Sequence, residues 1–128
     1  TTIAQVTDLA STINELKAKN LLHDTVVLMF GANSAFTKGQ LERELKRIGM
    51  EKQIFLVTTT TSKTWRDDVN NVYEAVSEKY SNVHVLDWNE YSKDQDWFYS
   101  HKSYVTEVGA HEEALFFAKK IYETLRGN

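Results

Sequence analysis

Short runs of consecutive apolar residues alternate along this chain with stretches whose apolar positions recur three and four apart. That alternation limits the possible folds more than any other feature. Residues 25–30 read Thr-Val-Val-Leu-Met-Phe, residues 53–58 Gln-Ile-Phe-Leu-Val-Thr, and residues 83–88 Val-His-Val-Leu-Asp-Trp. Runs this short and this apolar predict strands buried on both faces. The intervening stretches have helical spacing. Ile3, Val6, Leu9, Ile13 and Leu16 predict an amphipathic helix over residues 3–19. Leu41, Leu45 and Ile48 form one face of a second helix over residues 38–48, opened by the capping-box pattern Thr37-Lys38-Gly39-Gln40 and stopped by Gly49. Val69, Val72, Tyr73, Val76 and Tyr80 give a third helix. After a polar, aromatic stretch over residues 89–104, a last helix carries Ala110, Ala114, Phe117, Ile121 and Leu125 inward, with Thr106 as its N-cap. Strands joined by helices of this length form a parallel sheet with right-handed crossovers. The expected fold is therefore α/β, a three-layer α/β/α arrangement around three parallel strands.

The bulk properties bound this further. A chain of 128 residues is one small domain, and neither an internal repeat nor a linker-like composition shift divides it. Proline is absent, so Gly31, Gly39, Gly49 and Gly109 supply the punctuation. The net charge of −3 gives no electrostatic basis for binding nucleic acid or an anionic membrane. With no cysteine, disulfides, thiolate metal sites and cysteine nucleophiles are excluded together. No apolar run reaches the roughly 18 residues that span a bilayer, and the start has no signal-peptide pattern. The first residue is Thr1 rather than Met, which suggests a processed chain or a piece of something larger.

Gly31-Ala32-Asn33 follows the first apolar run directly. A strand that opens into glycine and a short amide places a backbone N–H and an Asn donor at the carboxyl edge of a sheet, where open α/β folds bind ligands. An oxyanion hole can be built this way, although glycine followed by Asn is also an ordinary way to leave a strand. Ser34 lacks the strand, elbow and helix context of a nucleophile and reads as a loop serine. Asp94, Asp96 and His101 are ligand-type residues without tight metal-ligand spacing, so neither a metal nor a cofactor is expected. His23 and His84 read as structural or solvent-facing, and His111 as exposed in the first turn of the last helix. Trp65, Trp88 and Trp97 fall in or beside loops at strand ends, where aromatics either cap the core or form a wall suited to sugar or acyl groups.

The first run with Gly31 and Asn33, the second from Gln53 to Thr61 with Trp65 and Asn70 beyond it, and the third from Asn82 to Trp88 together resemble the SGNH (GDSL-type) hydrolase family. Within that family the chain looks closest to the extracytoplasmic domain that ends membrane acyltransferases of the peptidoglycan O-acetyltransferase type. Thr106-Glu107-Val108-Gly109-Ala110 is similar to the run that opens the family's last helix. The resemblance implies a flavodoxin-like α/β/α fold, incomplete on its N-terminal side, since it covers only the later part of a full domain. It assigns Gly31 and Asn33 to the block in which the Asn helps bind the oxyanion. The Gly-Asp-Ser block with the nucleophile has no counterpart in this sequence. The positions of the orienting Asp and the general-base His are occupied by His101 and Tyr104.

A tyrosine phenol, with an ordinary pKa near 10, is a poor base for a serine at neutral pH. The resemblance thus implies a domain of a bacterial cell-surface acyltransferase acting on peptidoglycan or another glycan, catalytically inactive in this form. The alternative is a non-catalytic glycan-binding or regulatory module. The resemblance is to an O-acetyltransferase or esterase, with the nucleophile block missing and the Asp/His pair replaced, and does not itself decide enzymatic activity. Substrate contacts are expected from Gly31, Asn33, Trp65, Trp88 and Tyr104, toward a surface glycan or a small acetyl ester. The implied location is extracytoplasmic, attached to the membrane through a parent protein. Three strands alone would leave residues 26–30 as an open edge, so an upstream segment or a second copy is expected to complete the sheet.

Overall fold

A computed structural model describes residues 2–5, 9–20, 23–29, 35–99 and 105–126. The elements are β1 (Thr2–Gln5), α1 (Leu9–Ala18), β2 (Thr25–Met29), α2 (Lys38–Ile48), β3 (Gln53–Val57), α3 (Arg66–Lys79), β4 (Val83–Leu86), α4 (Trp88–Ser92) and α5 (Glu107–Arg126). The four strands are parallel and lie in chain order, β1-β2-β3-β4. The α/β class and the parallel sheet follow the sequence reading, with β2, β3 and β4 as the three expected strands.

The fourth strand is a correction. Residues 2–5 form a strand paired with β2, and the helix α1 is described over Leu9–Ala18. The spacing of Ile3, Val6 and Leu9 imitates a helical turn. Thr2 and Ile3, however, are β-branched and suit an extended backbone, and pairing there satisfies the polar groups along β2. The edge of β2 that was expected to lie open is therefore paired from within the chain.

Strands joined in chain order by crossovers of one hand place every crossover helix on the same face. The core has that shape. Ile13 of α1, Leu41, Leu45 and Ile48 of α2, and Val69, Tyr73 and Val76 of α3 pack on Val26, Leu28, Ile54 and Leu56. The alternate strand residues Val27, Phe55, Val57 and Leu86 point the other way, to Trp88 and to Phe116 and Phe117 of α5. Helices cover both faces, α1, α2 and α3 on one side and α5 with the short α4 on the other.

Local signals set the boundaries of α2. Thr37 Oγ1 accepts from the Gln40 N–H at 3.1 Å, and Gln40 Oε1 accepts from the Thr37 N–H at 2.8 Å, closing the capping box. Gly49 ends the helix at φ 121°, a conformation that favours glycine. Glu42 then ties α2 to α3 by accepting from Lys79 Nζ at 3.0 Å and Tyr80 OH at 2.9 Å. The third expected strand stops at Leu86, because Asp87 Oδ1 accepts from the Glu90 N–H at 3.3 Å and caps the short α4.

The inward face of α5 also differs from the sequence expectation. Gly109, Phe116 and Phe117 are buried, whereas Ala110, Ala114 and Leu125 are exposed. Ala110, Ala114, Phe117 and Ile121 instead border an open apolar groove of about 770 Å³ beside Met29. Glu113 lies in the same groove, and its burial pushes the carboxyl up to about 7. A carboxyl raised above its ordinary 4.5 contributes stability that is fully present below that value and is lost as pH rises through 7. Glu113→Gln is accordingly expected to stabilise the fold at pH 8, on the order of 1–2 kcal/mol after allowance for solvent screening. At pH 4, where the native carboxyl is already protonated, it brings no gain. Urea unfolding at the two pH values checks both halves.

Candidate functional site at the carboxyl edge of the sheet

The chain leaves β3 through four threonines, three of which are buried: Thr58, Thr59 and Thr61. Buried hydroxyls and loop amides require partners, and this loop finds them in α3 and beyond β4. Asn70 of α3 grips Thr59 at both backbone groups, accepting from its N–H at 2.8 Å and donating to its carbonyl at 3.1 Å. Thr58 Oγ1 donates to Asp87 Oδ1 at 3.1 Å and accepts from the Asn89 N–H at 2.8 Å. Together these bonds hold the carboxyl ends of β3 and β4 to one another and to the start of α3.

Beside this network lies a polar cleft of about 370 Å³, with Asp67, Asn71, Glu74, Asp87 and Glu90 among the lining residues. Partial burial, and then the charges of Asp87 and Glu78, raise Glu74 above its ordinary value. A cleft so rich in carboxylates accepts hydrogen bonds from hydroxyl or amide groups and disfavours anions.

The aromatic residues separate into two roles. Trp65 is half-buried at the N-cap of α3 and packs against the core on the crossover-helix face. Trp88 is only 2% exposed. It stacks on Trp97 at 5.6 Å and 8° and is surrounded by Tyr91, Phe98, Phe116 and Phe117. Trp88 therefore supports the sheet edge from beneath and offers no free face to a ligand.

The loop before α5 is pinned to the same cluster. The Trp97 carbonyl accepts from the Thr106 N–H at 2.7 Å and from Thr106 Oγ1 at 3.1 Å. Thr106 Oγ1 in turn accepts from the Gly109 N–H at 3.2 Å, confirming it as the N-cap. A Cβ on Gly109 would collide with the Trp97 carbonyl oxygen. The Thr-x-x-Gly pattern thus has two parts: the threonine caps the helix, and the glycine lets the Trp97 backbone close on its first turn.

Gly31, Asn33 and Ser34 fall within residues 30–34, and His101 and Tyr104 within residues 100–104; all five lie outside the described residues. The His84 ring packs at a tilt against Phe55, centroids 4.9 Å apart, and its Nε2 lies 2.8 Å from Gln53 Oε1, a structural role. Burial lowers its pKa. His111 is exposed. Among the described residues no three His, Asp or Glu side chains form a group able to hold a metal ion. Among them, too, no helix is long and apolar enough to cross a membrane. The network of Thr58, Asp87 and Asn89 was not singled out from sequence. Its signal was an aspartate at a strand end, the usual first residue of a capped helix.

No model of a known protein family matches the chain. It shows distant similarity to the C-terminal region of O-acetyltransferases of Staphylococcus aureus. Identity is 34% over 90 residues, 70% of this chain, to the protein of strain MSSA476 named "Putative O-acetyltransferase SAS0844". It is also 34% over 88 residues, 69% of this chain, to O-acetyltransferase OatA of strain NCTC 8325 / PS 47. The chain spans 14% and 13% of the length of these relatives.

Proposed function

We propose that these residues form an SGNH-like domain of a bacterial cell-surface acyltransferase of the peptidoglycan or glycan O-acetylating type, catalytically inactive in this form. The similarity to O-acetyltransferases over 70% of the chain carries the reading. Its location on this reading is extracytoplasmic, held at the membrane by a parent protein. The domain binds an acetylated or acetyl-accepting glycan at the carboxyl edge of the sheet. Gly31, Asn33, Trp65 and Tyr104 supply the contacts on this reading, and Trp88 supports the sheet edge from within the core. The acid-rich cleft suits the hydroxyl and amide groups of a sugar.

Inactivity follows from the residues that acyl transfer requires. A serine nucleophile needs a base poised near working pH, and His101 and Tyr104 stand where the resemblance places the Asp and His of that pair. The purified chain is expected to give no rate above background with a small acetyl ester or an O-acetylated glycan. Backbone shift mapping with N-acetylglucosamine, an uncharged acetylated sugar, is expected to perturb Trp65 and Asn33 first. An enzyme-dependent rate lost on Ser34→Ala or His101→Ala would refute the inactive reading. Shifts clustered away from the carboxyl edge would refute the binding reading.

A further inference from the structure

Six large apolar side chains remain exposed among the described residues, and four of them lie on α5: Val108 at 61%, Leu115 at 54%, Tyr122 at 62% and Leu125 at 39%. His111 and Ala118, also exposed, complete the series 108, 111, 115, 118, 122, 125. Spacings that alternate between three and four give the 3.5-residue repeat of a helix packed along another helix. The stripe faces away from the sheet, because Gly109, Phe116 and Phe117 hold the opposite side of α5 in the core. It merges with the groove bordered by Ala114 and Ile121, so the exposed apolar arc is far wider than that of an ordinary solvent-facing helix.

The flanking residues select the occupant. Glu112, Lys119 and Arg126 recur at intervals of seven along one side of the stripe, and Ala114 and Ile121 lie along the other. When two copies of α5 run antiparallel with Leu115 of each against Ala118 of the other, Glu112 of each faces Lys119 of the other, one ion pair on either side of the two-fold axis. Ala114 then meets Ile121 on the opposite flank. A parallel pairing instead brings Glu107 against Glu112 and loses both ion pairs. We propose that the outward stripe of α5 is a homotypic interface, on which a second copy of this chain packs its own α5 antiparallel. A 20-residue helix is about 30 Å long, so the contact sits at the small end of specific interfaces, and a micromolar dimer is expected.

Sedimentation velocity over a concentration series tests this. The mass is expected to rise from 14.8 kDa toward twice that value through the micromolar range. Leu115→Glu with Tyr122→Glu replaces exposed residues, so it should keep the circular dichroism spectrum and unfolding temperature of the monomer while weakening dimerisation roughly tenfold or more. Lys119→Glu alone should weaken the dimer, and combining it with Glu112→Lys should restore it, which only the antiparallel pairing explains. A chain that stays monomeric at high micromolar concentration overturns the proposal. So does a dimer indifferent to these variants, because its interface then lies elsewhere.

Discussion

Trp88→Ala is expected to lower the unfolding temperature by about 15 °C, corresponding to a loss of about 4 kcal/mol in a domain of this size. Trp88 is 2% exposed and contacts five aromatic rings contributed by α4, α5 and the intervening loop. Its removal empties the centre of the face that α5 covers, and rings already packed around it cannot collapse into the space without losing their own contacts. Trp88→Phe keeps most of the buried area and should cost less than half as much. Thermal unfolding followed by circular dichroism compares the two. If Trp88 faced a ligand instead of the core, Trp88→Ala would leave the unfolding temperature unchanged and alter only binding.

Gly109→Ala is the second large effect, a loss of about 3 kcal/mol or more. In an ordinary helix this exchange stabilises by nearly 1 kcal/mol, so here the expected sign is reversed. The new methyl would enter the space of the Trp97 carbonyl, and relief requires moving either α5 or the backbone that holds the Trp97 ring against Trp88. Thr106→Ala removes the cap and one hydrogen bond to that carbonyl without adding bulk, and should cost only about 1–2 kcal/mol. Denaturant titrations of the two variants should rank them in that order. Equal losses, or a more stable Gly109→Ala, would show that the Trp97 backbone is free to withdraw.

Where local chemistry decided the structure, the sequence was legible. The capping box at Thr37 and the glycine at 49 bound α2 as expected, and the unbroken apolar runs gave β2, β3 and β4. Where a partner decided, it was not. Residues 2–5 carry apolar spacing compatible with helix, and only the presence of β2 beside them makes a strand. The phase of α5 was ambiguous for a related reason. Its apolar residues wrap more than half the helix, and periodicity alone does not say which part meets this sheet. Of the site, Trp65 and Thr106 were visible as types at strand and helix ends. The pairing of Thr58 with Asp87 joins residues that follow different strands, and no local pattern encodes it.

The order β1-β2-β3-β4 also bears on how the molecule assembles. Every strand pairs with its neighbours in the chain, across separations of no more than about 30 residues, so loop closure is short at each step. Each helix can dock on the crossover side as soon as the strand after it is in place. The sheet can thus lengthen unit by unit in the direction of synthesis, with one face finished while the other is still bare. That second face waits for α5, which follows all four strands in the chain. Until Phe116 and Phe117 arrive, Val27, Phe55 and Val57 have no cover from it, and this is the interval in which a nascent chain is most exposed to unwanted contacts.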